Sequence, residues 1–546
     1  MSAAAQVSHS ERDRLLDYGR IVSGPRFNRW LVPPAALAIH LSIGMAYGFS
    51  VFWLPMTRLV AHPSPSCADA GLFGELFSTQ CNWSVPSVSL TFTLFIAVLG
   101  IAAAIWGGWL EHAGPRKSGV IAALCWGGGM VLGGIGVAVH QLWLVWLGTG
   151  IIGGIGQGLG YITPVSTLIK WFPDRRGMAT GFAIMGYGGG AMIGAPLAVW
   201  LMHHVAPSAP QGVAPTMIIM GVIYAVAMAA GAFGFRVPPT GWRPAGWSPP
   251  EEQGNALITR NHVHLGRAWR TPQFWLIWWV LCLNVTAGIA VISMASPMLQ
   301  DIFGPQLLGH PVAGGALSST EKAAIVAAAA GLVGLISLFN SLGRIGWASL
   351  SDLIGRKNTY YTFFVLGIIL YVLLPRWGHL ALPALFVASI CIILTMYGGG
   401  FAAVPAYLAD IFGTQMVGAI HGRLITAWSA AGVIGPVLIA NLRQFELAHG
   451  VARNDVYDLT LYIMAGLLFI GLLCNAMVQP VKEEHHMSDE ELAREHSLQH
   501  QPMTGVNAAS AARGPFGGAG LLAWLAVGIP FLIGLYIAIE KGAALF

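Results

Sequence analysis

The chain runs to 546 residues, of which 55% are hydrophobic and only 9% charged, and its mean hydropathy is +0.66. Soluble domains carry about 25% charged residues, so this composition excludes a soluble globular protein and points to an integral membrane protein. The net charge of +5 is unremarkable until mapped along the chain, where it reports orientation and not a nucleic-acid partner.

Residues 1 to 29 are polar, and the first apolar run, from Trp30, is long enough to span, so no cleavable signal peptide is expected. Charge-poor stretches of spanning length follow from Leu31 to Thr57, Val85 to Leu110, Ser118 to Val139, Gln141 to Ile169, Gly177 to Met202 and Thr216 to Phe235. A second six run from Thr271 to Gln300, Ala323 to Gly346, Thr359 to Pro375, Leu380 to Ala409, Leu424 to Leu442 and Leu459 to Gln479. The polar linker between them, Arg236 to Arg270, is rich in proline, tryptophan and arginine and reads as a domain boundary. Beyond the second set, a tail carries Glu483-Glu484-His485-His486 and Ser488-Asp489-Glu490-Glu491, which suits a solvated segment better than a metal site. A further apolar run, Gly514 to Ile539, has Pro530 in its middle, which a membrane helix tolerates.

The expected parts are therefore a cytoplasmic N-terminal tail (1–29), a six-helix half (30–235), a cytoplasmic linker (236–270), a second six-helix half (271–480), a polar cytoplasmic tail (481–513) and a thirteenth transmembrane segment (514–546). Lysine and arginine crowd one side: Arg116, Lys117, Lys170, Arg175, Arg176, Arg356, Lys357 and the linker arginines fall there, against few on the other. This bias places the N-terminus in the cytoplasm. Cys125, Cys282, Cys391 and Cys474 lie in apolar runs and suit packing. Cys67 and Cys81 share the loop after the first span, and a bridge between them stays open.

The two sets match at a fixed offset. Glu111 meets Asp352, Gly114 meets Gly355, Pro164 meets Pro405, Gly181 meets Gly422 and Gly194 meets Gly435, each pair 241 residues apart. Two homologous halves around a central cavity are an architecture of secondary transporters, with the site near the midplane. Within this symmetry one residue is anomalous. Ala323 to Gly343 carries no Asp, Glu, Lys or Arg, and then Arg344 appears, with Asn340 one turn away on the same face. At about 1.5 Å per residue Arg344 lies roughly 12 Å from Asp352, near the middle of a roughly 30 Å hydrocarbon core. An arginine there costs about 2.5–3.5 kcal/mol on insertion scales, so it is expected to face a polar cavity and meet an anion. Its repeat mate is Ala103 and that of Asn340 is Leu99, so the basic site is one-sided, as a substrate arginine permits.

Tyr161, Tyr187 and Trp428, the repeat mate of Tyr187, approach the same depth, and Tyr397 lies in the middle of the tenth span. They are candidates to enclose a small carboxylate, with ordinary helix packing as the alternative. His40 is a candidate proton site, with a satisfied core histidine as its alternative. No Asp or Glu falls inside the twelve main spans, which leaves anion exchange, facilitated diffusion or coupling through His40. The run from Gly153 to Gly160 has no strand before it and is read as a helix contact, not a nucleotide loop.

The loops Gly108-x2-Glu111-x2-Gly114-x-Arg116-Lys117 and Ser351-Asp352-x2-Gly355-Arg356-Lys357 resemble the signature of the major facilitator superfamily, over about residues 28 to 480. Asn28-Arg29-Trp30, Asn284-Val-Thr286-Ala-Gly288 and Asn340-x3-Arg344 resemble the oxalate/formate antiporter family, which is related to the monocarboxylate transporters. The resemblance implies an all-α membrane fold of two six-helix repeats, here with one appended helix. It also implies that Arg344 binds a substrate carboxylate. Glu111, Gly114, Arg116, Asp352, Gly355 and Arg356 are then candidate gating residues. The family's oxalate carrier has a lysine in a Thr-Ala-Lys context in its eleventh helix; here Thr426-Ala427 is followed by Trp428. A dianion would face one buried cation instead of two, which favours a monocarboxylate such as formate, lactate, pyruvate or glycolate without excluding oxalate.

The expected function is transport of a small organic anion by a monomer in the cytoplasmic membrane of a bacterium, with an anion or a proton as the counter-transported species. The lipid bilayer is the other partner; no cofactor, metal or enzymatic activity is expected. A substrate-sensing receptor on a transporter fold and a carrier of neutral solutes are the alternatives, and the second leaves Arg344 unexplained.

Overall fold

Prolines and capping hydroxyls open five of the long helices, and glycines at positive φ close several. The computed structural model describes residues 15–24, 27–61, 71–239, 241–248, 257–304, 319–498 and 517–543. The long helices are α1 (Arg29–Met56), α2 (Val85–Ala113), α3 (Pro115–Ala138), α4 (Leu142–Trp171), α5 (Arg176–His204), α6 (Ala209–Gly234) and α7 (Pro272–Phe303). They continue with α8 (Ser319–Ile354), α9 (Arg356–His379), α10 (Pro383–Phe412), α11 (Val417–Ala448) and α12 (Asp458–Met477). A short tail helix, α13 (Asp489–Leu498), precedes α14 (Gly517–Ala543). Among the described residues there are two isolated β-bridges and no strand.

Twelve helices among the described residues are long and apolar enough to cross a membrane: α1 to α7, α9 to α12, and α14. The 36-residue α8 occupies the place of the expected eighth span. The protein is thus a multi-pass membrane protein. Ser84 and Thr271 cap α2 and α7 by accepting from the backbone N–H groups of Ser87 and Phe274. Pro86, Pro115, Pro210, Pro272 and Pro383 occupy first-turn positions where no N–H is needed. The repeat is visible in the backbone as well. Gly114 and Gly355 both end a helix at positive φ, 82° and 86°, and Pro164 and Pro405 both lie inside helices.

Three spans depart from plain α-helix. Gly44–Phe52 in α1 is a 3₁₀ segment, and Trp146–Ile152 in α4 is a π segment. α11 changes geometry at Ile425, between Val417–Leu424 and Thr426–Ala448. Such interruptions often mark functional hinges in membrane helices. The glycines from Gly153 to Gly160 are used for close approach: a Cβ at Gly158 would lie 2.5 Å from the Leu99 carbonyl oxygen.

The tail is not simply solvated. Val263 bridges His486, and Met487 donates its N–H to the His262 carbonyl at 2.7 Å. Arg267 pairs with Glu491 at 2.5 Å and His112 of α2 meets Glu495 at 3.0 Å, so α13 lies on the linker and on α2. Charge complementarity is the reason: the acidic residues of the tail find the cations of the linker. Cys81 is disulfide-bonded, and Cys67 lies outside the described residues.

Candidate functional site

The arginine that breaks the apolar pattern of α8 is 1% exposed. Its Nε donates to Asn340 Oδ1 at 3.2 Å and its Nη1 to the Ile184 carbonyl of α5 at 3.0 Å, while Nη2 has no partner. The guanidinium carbon lies 5.8 Å from the ring centre of Tyr187 and 5.5 Å from that of Phe401. No carboxylate pairs with Arg344 among the described residues. Burial of an arginine on hydrogen bonds and aromatic faces alone leaves an uncompensated charge. Two glycines make room for it. A Cβ at Gly188 of α5 would sit 3.1 Å from Arg344 Nε, and one at Gly398 of α10 would sit 3.1 Å from its Cγ.

Around the guanidinium, rings from four helices close a cage. Tyr161 of α4 lies 5.5 Å from Tyr187 and 5.4 Å from Trp428, Tyr187 lies 5.3 Å from Trp428, and Phe401 lies 5.0 Å from Trp428. Tyr397 joins through its hydroxyl, 3.1 Å from that of Tyr47 on α1. The hydroxyls of Tyr161 and Tyr187 and the indole N–H of Trp428 have no partner. A buried polar group left unpaired costs about 1–3 kcal/mol, so this concentration of free donors beside an unpaired cation suits an oxygen-rich anion.

The predicted residues Arg344, Asn340, Tyr161, Tyr187, Trp428 and Tyr397 therefore meet in one cluster. Asn340 is turned toward Arg344, orienting the guanidinium. His40 lies at the edge, its ring 5.5 Å from Tyr161, with Nδ1 at 2.5 Å from the Ala183 carbonyl and Nε2 at 3.1 Å from that of Tyr161. Three members were not foreseen. Phe401 follows Tyr397 by one turn. Tyr47 is the repeat mate of Gly288, and that glycine accepts the ring of Tyr397 against its backbone. His421 lies inside α11 because the helix starts at Val417, upstream of the expected Leu424. Arg423, two residues on, is turned away from the cage: its Nη1 donates to the Leu265 carbonyl at 3.2 Å, and its guanidinium carbon is 5.5 Å from the Trp269 ring centre.

At the basic end, the two loop motifs cross between the sets of six helices. Asp352 accepts from the backbone N–H groups of Gly177 and Met178, both at 2.9 Å, and pairs with Arg356 at 2.5 Å. The mate of Gly177 is Gly418, where a Cβ would lie 2.5 Å from Glu111 Oε1; Glu111 itself pairs with Lys170 at 2.6 Å. Arg176 reaches Asp410 at 2.9 Å, and Arg356 reaches the same carboxylate at 3.2 Å. Arg116 donates instead to the carbonyls of Leu15 and Phe233, and Gly114 packs on Tyr18 and Ile21. A cavity of about 880 Å³ opens beside these contacts, lined by Arg176, Arg243, Arg260, His262, Arg356 and Asp410 among others. Burial and the nearby His496, Arg176 and His486 push His262 down to about 4, so its Nδ1 stays free to accept from the Gln415 N–H at 3.4 Å.

Residues 70–436 and 320–544 match the Major Facilitator Superfamily. The oxalate:formate antiporter of Oxalobacter formigenes is 28% identical over 341 residues, covering 62% of this chain and 71% of that protein. Apicoplast pyruvate carrier 1 of Toxoplasma gondii is 24% identical over 380 residues, covering 60% of this chain and 64% of that protein. Among solved structures, a bacterial homologue of the iron transporter ferroportin in an outward-facing state aligns with a TM-score of 0.54 at 11% identity, over 82% of this chain and 99% of that one. The transporter FucP in its outward conformation aligns with a TM-score of 0.53 at 12% identity, with the same coverage. At these identities the two structures speak for the fold alone.

Proposed function

Since the chain belongs to the major facilitator superfamily, we propose that it moves a small organic anion, a monocarboxylate such as lactate, pyruvate, formate or glycolate, by alternating access. The observation that carries this reading is the buried Arg344, whose Nη2 is unpartnered inside a cage of equally unpartnered donors. A carboxylate supplies both the missing charge and the missing acceptors, and a charge-assisted pair of this kind is about twice as strong as a neutral hydrogen bond. The names of the two relatives, an oxalate:formate antiporter and a pyruvate carrier, support the same substrate class. Trp428 in place of a second cation favours one negative charge over two.

In this scheme Arg344 holds the carboxylate, Asn340 holds Arg344, and Tyr161, Tyr187, Trp428 and Tyr397 exclude water and donate to the remaining oxygens. The halves 30–235 and 271–480 rock about the site. Asp352 on the first turn of α5, Glu111 beside Gly418, and Arg176 on Asp410 close the basic end and must part for release on that side. The positive-inside bias supports a cytoplasmic N-terminus, and the proposed reading places the protein as a monomer in a bacterial inner membrane.

Uptake of radiolabelled lactate, formate and oxalate into proteoliposomes, with and without anion inside, tests this directly. Arg344→Ala is expected to lose anion uptake, and the rank order in the unsubstituted protein identifies the acid class. Equal uptake by both proteins would remove Arg344 from the site and turn attention to neutral solutes.

A further inference from the structure

Two histidines are fully buried near the cage, and their surroundings are opposite. His40 has a backbone carbonyl at each ring nitrogen, from Ala183 of α5 and Tyr161 of α4. His421 of α11 is buried as completely, yet neither Nδ1 nor Nε2 has a partner. The ring of Tyr161 stands between them, 5.5 Å from His40 and 5.8 Å from His421, and 5.4 Å from Trp428. An imidazole always carries at least one N–H, so His421 enters the site with an unused donor and, when neutral, an unused acceptor.

The groups that face this part of α11 are few. α2 brings Glu111, which approaches Gly418 and is held by Lys170 of α4; α4 also brings Tyr161, with His40 of α1 on its other side; the linker turn Leu265–Ala268 brings Arg267, held by Glu491, with His264 before it; the one acidic residue of α10, Asp410, is held by Arg176 and Arg356; α8 brings Arg344 beyond the tyrosine pair. Every one of these carboxylates lies at a helix end and is already paired. None is left to receive a transported proton in the interior.

Resting on the carboxylate reading above, we propose that His421 is the proton-binding site that couples anion movement to a proton, making the carrier an electroneutral proton–monocarboxylate symporter. The charge balance is simple. The empty site with neutral His421 carries the single charge of Arg344. Loaded with one carboxylate and one proton on His421, it carries the same charge. The halves therefore reorient with equal charge in both directions, and no net charge crosses the membrane in a cycle. A buried charge is costly unless paired, so the anion and the proton favour each other's binding, and the favour is reciprocal. The proton enters from the side on which the anion binds, rests on a ring nitrogen, and leaves on the other side as the anion departs. Nothing is oxidised or reduced.

The test uses the full chain in proteoliposomes loaded with a pH-sensitive dye. An inward lactate gradient imposed on the unsubstituted protein should acidify the lumen, about one proton per lactate, with no dependence on an imposed potassium diffusion potential. His421→Gln should lower uptake driven by an inward proton gradient at least tenfold, while counterflow of labelled lactate between pools of equal pH remains measurable. His40→Gln serves as the comparison and should still acidify the lumen. Lactate uptake without lumenal acidification in the unsubstituted protein would overturn the proposal and leave the carrier reading standing, even if His421→Gln failed to fold. Unchanged proton coupling in His421→Gln, or coupling lost only in His40→Gln, would also overturn it. An absence of carboxylate uptake of any kind would instead count against the carrier reading itself.

Discussion

Arg344 is tolerated in an apolar helix because its Nε and Nη1 are held and its remaining donor faces other unpartnered donors. The same contacts suggest how to satisfy the charge from within. Asn340→Asp places a carboxylate where the Oδ1 atom already sits 3.2 Å from Arg344 Nε, at nearly constant volume. The new ion pair is expected to take the place of substrate, so lactate uptake should fall at least tenfold while the thermal midpoint holds or rises. A drop in midpoint together with normal uptake would show that Arg344 is not waiting for an anion. The substitution separates two roles that Arg344→Ala merges, since it keeps the arginine and removes only its vacancy.

On the scale of elements, α8 meets α5 both beside Arg344 and at the α5 N-terminus, where backbone N–H groups are unpaired and the macrodipole is positive. Asp352 accepts from two of those groups across the boundary between the six-helix sets. Asp352→Asn keeps the shape, loses the charge, and also weakens the link to Arg356. A cap of this kind is worth about 0.5–2 kcal/mol, so closure of the basic end should weaken by roughly two- to thirtyfold in equilibrium constant. Labelling of a cysteine introduced at Thr414, which lines the cavity there, should become correspondingly faster. Unchanged labelling would mean that the cap does not control closure. The ion pairs of α13 with the linker and with α2 are more exposed and are expected to contribute less, because such surface pairs are worth about 0–1 kcal/mol each.

For the whole molecule, α14 is the element whose placement says most about assembly. Trp524 donates its indole N–H to the Trp30 carbonyl at 3.1 Å, Phe531 packs over Gly189 of α5, and Ala538 faces Gly334 of α8. The helix thus rests on α1 and α5 from the first set and on α8 from the second, against the two helices that frame Arg344. Most of its own surface remains exposed, as expected for a helix bordering lipid. Deleting residues 514–546 should leave a folded carrier with a KM for lactate within about twofold, since none of these contacts reaches the cage, but with a thermal midpoint lowered by several degrees. Complete loss of folded protein on deletion would make α14 an integral part of the fold and not an appended one.

By itself the sequence determined the class of solvent, the two sets of spans, the repeat at one offset and the single misplaced cation. These follow from local properties: lipid demands long charge-poor runs, and a charge inside such a run is conspicuous wherever the helix packs. The same locality explains the misses. His421 was hidden because the charge-poor run begins only at Leu424, whereas the helix starts at Val417 and the Arg423 side chain reaches away to the Leu265 carbonyl. Tyr47 meets Tyr397, 350 residues distant, only because Gly288 leaves space for a ring. The occupied nitrogens of His40, the free ones of His421, the docking of α13 and the seat of α14 were decided by tertiary structure alone. Each depends on which faces of helices far apart in the chain come together, and hydropathy along the chain does not encode that.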